Sequence, residues 1–471
     1  MGTELCFKTA DQLSQLISSR QVSPVEIVSE HLNRIEKLEP ALNSYILVMA
    51  ESALKEARQC ESEIASGLYK GPLHGIPVAL KDIFFVKDVP NTYGSKINKD
   101  YIPLVNSTVV NRFKEAGAVL LGKLNLHQFA FGPTGENHHY GDMHNPWNID
   151  CFAGGSSGGS GSAVAAGEAT LAMGSDTGGS IRIPSALCGI VGLKPTFGRV
   201  SKYGVNPLAW SMDHVGPMVR SVSDAALVLN AIAGYDQGDL CSVNLPVPDF
   251  TLGLGEDIKG IRVGVPKEYF DLPIDPQVKS VIDKAVGQLE ELGAHISEVE
   301  WPIFKYAFAI STVLLITEAS AALSNLVLEK GPEFQPGTRL RVEGGMFYSA
   351  NDYLKAQRAR RLFVRETSEL MEKVDVLVGP MIPSGSPKIG QTEVKLGEEM
   401  QGIIPTLTQY TRAFNINGFP AMTLPCGFTN SNLPVGLQIA GRPWEEATIL
   451  KVGYAFEQAT KWHTMRPPEP K

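Results

Sequence analysis

A chain of 471 residues, 43% hydrophobic and 20% charged, can bury a large core, which excludes disordered and low-complexity classes. Its 42 basic and 50 acidic residues leave a formal charge of −8, an argument against nucleic acid or an anionic membrane as an obligate partner. The six cysteines are scattered without zinc-like spacing and the N-terminus MGTELCFKTADQL has no apolar signal core, so reduced thiols in a cytoplasmic protein are expected.

The first elements read as helices. Thr9 caps the DQLSQLI segment, and Ser23-Pro24-Val25-Glu26 joins a capping box to a proline at the first helical position. Ile27, Val28, Leu32, Ile35 and Leu38 then recur at helical spacing, and the helix is expected to end before Pro40. A further helix is expected over 51–65. After Lys70-Gly71-Pro72 the run GIPVALKDIFF reads as a buried strand with Lys81 in its middle.

Ser107 starts another helix that Gly117 ends, and 118–121 comes next as a strand. Helix, glycine and strand recur from Asp275-Pro276 through Gly293 to Ile296, and 260–265 and 374–379 read as buried strands. The segment 306–328 carries Glu318 as its only charge and is long enough for a bilayer, but six Ser, Thr and Asn residues interrupt it. A buried or amphipathic helix is the better expectation, with no transmembrane anchor. Alternating strands and helices predict an α/β fold with a mostly parallel or mixed sheet, in one large domain over 1–471.

The chemistry concentrates at 154–196. The tract Gly154 to Ser162 contains only Gly and Ser, a composition that a packed helix or strand avoids and a flexible linker favours. The residues after it are apolar, unlike those of a domain boundary. A second small-residue turn, Asp176-Thr177-Gly178-Gly179-Ser180, comes next. Two glycine-rich turns presenting serines suggest a backbone shaped around a reacting atom, with Ser156 and Ser180 as candidates. A serine hydroxyl needs a base and an oxyanion site. His127, His138, His139 and His144 cluster nearest in sequence, which leaves a Ser-His-Asp arrangement open. Lys81, flanked by VAL and IFF, is the better candidate base if burial lowers its pKa; pairing with a carboxylate or exposure at a strand end is the alternative.

GGSSGG, GSDTGGSIRIPSALCGIVGLKPT and the lysine of GIPVALKDIF together resemble the amidase signature family. The similarity continues through DHVGPM, PMIP, GFPA with LPCGF, and LPVGLQI, so it covers nearly the whole chain, with its core at about 70–220. The resemblance implies a mixed central β-sheet covered by helices on both faces, and a Ser-Ser-Lys triad with one serine held by a cis peptide. Lys81 would be the base, Ser156 the bridging serine and Ser180 the nucleophile. It places the oxyanion donors on the backbone N–H groups of Thr177, Gly178, Gly179 and Ser180. Asp176 and Arg182 would brace the turn, although the residues alone leave an ordinary surface ion pair open. No metal or cofactor is implied.

The amide is less determined than the reaction. A free-standing amidase acting on an aryl or small acyl amide would draw its pocket from Phe129, Phe131, Tyr140 and Trp210, with Trp444 as a further aromatic; ordinary core packing is the alternative for each. Resemblance to the A subunit of tRNA-dependent amidotransferases, around KLNLHQFAFGPTGEN, implies a glutaminase with partner subunits. There the chain departs: Arg412 stands in YTRAFN where an acid would be wanted for the glutamine ammonium, and a cation would repel it. Arg341 in TRLRVEGG could meet a substrate carboxylate. A non-catalytic family member is the third reading, disfavoured because Lys81, Ser156 and Ser180 are all present. The expected partner is a small-molecule amide, in a monomer or homodimer.

Overall fold

Reciprocal capping starts the first two amphipathic helices of the computed structural model, which describes residues 2–470. Thr9 Oγ1 accepts from Gln12 N at 3.2 Å while the Gln12 side chain accepts from Thr9 N, opening Ala10–Ser18. Ser23 and Glu26 do the same for Pro24–Leu42. That helix runs through Pro40 rather than ending before it, and closes on Asn43 at φ 54°. Proline forfeits one backbone bond there. Leu42 is nevertheless fully buried with Leu38 and Ala166, and this packing holds the last turn helical.

Eleven strands form one mixed sheet. Numbered along the chain they are β1 (Tyr45–Val48), β2 (Pro77–Lys81), β3 (Val119–Leu124), β4 (Leu171–Asp176), β5 (Val191–Lys194), β6 (His214–Val219), β7 (Arg262–Pro266), β8 (His295–Val299), β9 (Val376–Pro380), β10 (Ala421–Phe428) and β11 (Pro434–Gly441). Their order across the sheet is β1-β3-β2-β4-β6-β5-β10-β11-β9-β7-β8. Parallel pairs lie at β3–β2–β4 and β9–β7–β8, joined by antiparallel neighbours between. Every residue of β2, β3, β4, β5, β6, β9 and β11 is buried, so helices cover both faces of the central strands. The expected mixed α/β sheet is therefore present.

Two segments differ from their sequence reading. Gly158–Ala166, most of the Gly/Ser tract, is a helix buried along its whole length. Its glycines are there for approach rather than flexibility. A Cβ on Gly159 would meet Asn125 O at 2.6 Å and Ser44 O closer still, so only glycine lets this helix seat against those backbones. The second is Ala307–Lys330, a 24-residue helix long and apolar enough to cross a membrane by length and composition. In the fold one face is buried through Ile310, Leu314, Ala319 and Leu323, packed against Pro336–Gly345 and Ala350–Met371. Glu318, its central charge, is buried and accepts from Ser211 Oγ at 2.6 Å and Tyr353 Oη at 2.9 Å.

Candidate active site

Lys81 is the last residue of β2, and the parallel pairing Leu80↔Met173 sets it beside the carboxyl end of β4. Ligand sites in open α/β sheets commonly lie at such strand ends. Lys81 is fully buried, donating to Ser156 Oγ at 2.7 Å and to Ser175 Oγ at 2.9 Å. Among the described residues it forms no ion pair; the neighbouring Asp82 pairs instead with buried Lys123 at 2.5 Å. Burial pushes the Lys81 ammonium down to about 7, against the opposing pull of the Asp176 and Asp213 carboxylates. The pairing and solvent-exposure alternatives for Lys81 are thus not what the structure adopts.

Ser156 precedes the Gly158–Ala166 helix, is fully buried, and comes after Gly155 through a cis peptide bond. Its carbonyl accepts from His127 N at 3.0 Å, and the N–H of Ser157 donates to Ser180 O at 3.3 Å, so the two serine-bearing turns lie side by side. Ser180 faces a cavity, and among the described residues its Oγ has no hydrogen-bond partner. No histidine reaches it either. His127 is buried and held neutral by burial and by nearby Arg341, and its Nε2 lies 3.5 Å from Arg341 Nη2.

The turn after β4 is fixed by one carboxylate. Asp176 accepts from the backbone N–H of Gly179 at 2.8 Å and of Ile181 at 3.2 Å, and both its oxygens accept from Arg182 at 3.0 Å. Both side chains are fully buried, so this is not a surface ion pair. Burial alone would raise the Asp176 carboxyl; the Arg182 guanidinium overrides that and holds it well below the usual range. Gly179 sits at φ 125°, and a Cβ there would lie 2.7 Å from Thr411 Oγ1, so glycine is required for the turn. The result divides the expected oxyanion donors. Thr177, Gly178 and Ser180 line the cavity, while the Gly179 N–H points back at Asp176.

The cavity beside Ser180 has a volume of about 210 Å³ and mostly apolar walls, including Ile183, Leu208, Met212, Leu315 and Ile316. Of the four aromatic residues expected to line it, only Phe131 does. Phe129 packs into the core against Tyr93 and Phe334, with centroids 5.2 and 4.8 Å away. Tyr140 sits near Lys96, and Trp210 is 48% exposed at a second cavity of about 180 Å³. Trp444 stacks on Arg199, 4.8 Å from its guanidinium. Sequence reasoning missed Ser175, which shares Lys81 with Ser156, and missed Phe308, Ser311 and Thr312, which the Ala307–Lys330 helix brings to the cavity wall.

Comparison with known proteins agrees with this architecture. The sequence model of the family described as Amidase matches residues 26–450. The A subunit of the glutamyl-tRNA(Gln) amidotransferase of Moorella thermoacetica is 41% identical over 487 residues, covering 98% of this chain and 99% of that protein. Its counterpart from Geobacter sp. strain M21 is 40% identical over 484 residues, with coverage of 98% and 99%. Among solved structures, a bacterial aryl acylamidase of the amidase signature enzymes superposes with TM-score 0.91 at 28% identity, covering 99% of each chain. The glutamyl-tRNA(Gln) amidotransferase A subunit of Thermotoga maritima superposes with TM-score 0.83 at 32% identity, over 99% of this chain and 98% of that one. The chain belongs to the amidase signature family, and its class is that of the amide-cleaving enzymes of that family.

Proposed function

We propose that this chain cleaves the C–N bond of a linear carboxylic amide through an acyl-enzyme on Ser180. The observation that carries the reading is a buried lysine, with its pKa lowered to about 7, donating at 2.7 Å to a serine whose turn lies against Ser180. Neutral Lys81 takes a proton from Ser156, Ser156 takes one from Ser180, and Ser180 Oγ attacks the carbonyl carbon. The N–H groups of Thr177, Gly178 and Ser180 are the donors available to the oxyanion at the cavity wall. On collapse the C–N bond breaks and Ser156 returns a proton to the departing amine. Water then attacks the acyl carbon, its proton passing along the same route, and restores Ser180. Hydrogen bonds between catalytic groups are often long before substrate arrives, which accommodates the unpartnered Ser180 hydroxyl.

Ser180→Ala is expected to lower amide turnover at least about 10³-fold and to abolish labelling by a serine-reactive phosphonate, with circular dichroism unchanged. Labelling at another serine in the wild-type chain would overturn the assignment.

For the substrate, an aryl or small acyl amide is supported by Phe131, the apolar walls and the likeness to the aryl acylamidase. The second reading, a glutaminase subunit working with partners, has the stronger support in sequence, since relatives named as the A subunit of an amidotransferase are 40–41% identical along nearly the full chain. Against it stands the cavity, whose lining holds Arg341 and Arg412 and no carboxylate to meet the ammonium of glutamine. Release of ammonia from free glutamine by the purified chain, measured beside an anilide, decides between the two.

A further inference from the structure

Asp213 stands one residue before β6 and is buried. Its carboxylate accepts from Thr177 Oγ1 at 2.5 Å, from Leu208 N at 2.9 Å and, through both oxygens, from Ala209 N at 3.1 Å. These donors belong to two separate pieces of chain. Thr177 lies in the turn that carries Ser180, whereas Leu208 and Ala209 lie in the loop between β5 and β6. Thr177 and Leu208 both line the cavity beside Ser180 and the adjoining one of about 180 Å³. The loop is held independently from its other side. Ser211 donates to Glu318 from N at 3.0 Å and from Oγ at 2.6 Å, and its carbonyl accepts from Arg360 Nη2 at 2.8 Å. Asp213 thus joins a wall anchored on the Ala307–Lys330 and Ala350–Met371 helices to the edge of the nucleophile turn.

Its charge also reaches Lys81, where Asp213 and Asp176 favour the ammonium against the pull of burial. Asp176 is paired with Arg182, while among the described residues Asp213 has no cation within ion-pair distance. The other titratable groups around it do not offset that charge. Burial keeps His214 and His127 neutral, and burial together with Asp213 pushes the Tyr93 hydroxyl far up. Lys202 and Asp239 line the second cavity with Asp213, and Lys202 Nζ donates to the Trp210 carbonyl at 2.6 Å.

We propose that Asp213 is a positioning residue of the reaction: it fixes the Thr177 edge of the oxyanion turn against the cavity wall and holds a negative charge that favours the Lys81 ammonium formed when the proton arrives. Gly178 has no side chain to anchor, and that of Ser180 must stay free to react, which leaves Thr177 as the donor residue that can be tied down. A turn free to tilt would lose alignment with the developing oxyanion. Its effect on rate rests on the proposed chemistry at Ser180; its effect on Lys81 does not.

Asp213→Asn and Thr177→Val in the full chain separate the two effects. On a neutral amide each is expected to lower kcat at least about tenfold with KM within about threefold, because the alignment matters in the transition state. Asp213→Asn should also move the acid limb of kcat/KM to lower pH by at least about half a unit, since Lys81 loses a carboxylate that favours its charged form. Thr177→Val should leave that limb in place. NMR of 13Cε-labelled lysine in Ser180→Ala supplies a readout without turnover, the Lys81 signal being assigned by its loss in Lys81→Met. Adding Asp213→Asn there should move the Lys81 titration in the same direction. An acid limb or a Lys81 titration unmoved by Asp213→Asn would overturn the proposal, and so would a wild-type kcat in Thr177→Val. If Asp213→Asn failed to fold, the kcat of Thr177→Val alone would decide. If the wild type cleaved no amide while Asp213→Asn still moved the Lys81 titration, the coupling would stand and the hydrolytic reading would fall.

Discussion

Lys81 must be neutral to accept a proton, and its burial decides over what pH range that holds. With its folded pKa at about 7, the neutral fraction falls tenfold per unit below that value and is nearly complete above it. The expected kcat/KM profile therefore rises with slope one up to about pH 7 and is level above it. A pH–rate profile on a neutral amide checks this, and a rise continuing toward pH 10 would mean that the lysine is solvated during turnover. The sequence made Lys81 legible because apolar residues flank a single cation. It hid Ser175, because a serine inside MGSD reveals its role only when parallel pairing sets β4 beside β2.

At the scale of elements, the Gly/Ser tract reads as flexible from propensity, yet it forms the buried Gly158–Ala166 helix. Propensity measures the cost of ordering glycine; it does not measure the contacts that only glycine permits. Gly159→Ala is expected to destabilise the fold by about 1–3 kcal/mol despite its higher helix propensity, because its Cβ must displace backbone at Asn125 and Ser44. A denaturant midpoint at or above that of the wild type would show that the helix shifts to make room. Ala307–Lys330 makes the converse point. Its composition suits a bilayer as well as a core, and only its neighbours decide: Ser311 and Thr312 bind Arg412, and Glu318 binds Ser211 and Tyr353.

Across the whole molecule, Arg182 ties the catalytic turn to distant parts of the chain. Besides Asp176 it donates to Gln438 Oε1 on β11 at 2.7 Å, to Asn415 Oδ1 at 2.8 Å and to the Thr411 carbonyl at 3.1 Å. Asn415 in turn donates to Asp176 Oδ1 at 2.8 Å. Arg182→Met would leave Asp176 buried and uncompensated, so a loss of about 3–5 kcal/mol is expected in urea unfolding, with activity falling alongside. A loss under about 1 kcal/mol would mean that water or a shifted partner takes the place of the guanidinium.

The serine-bearing turns, the lysine in its apolar run, the mixed α/β architecture and the family are all legible in the linear chain, because motif and hydrophobic periodicity are local properties. The substrate end of the cavity is not. Phe129, Tyr140 and Trp210 look like pocket residues by type and proximity in sequence, but the fold packs Phe129 into the core, sets Tyr140 near Lys96 and leaves Trp210 at an adjoining cavity that shares Ala130, Thr177 and Leu208 with the one beside Ser180. Arg341 and Arg412, 71 positions apart, share the cavity only because separate helices converge on it. Side-chain chemistry is written in the sequence; which charges are brought together out of water is decided by tertiary packing.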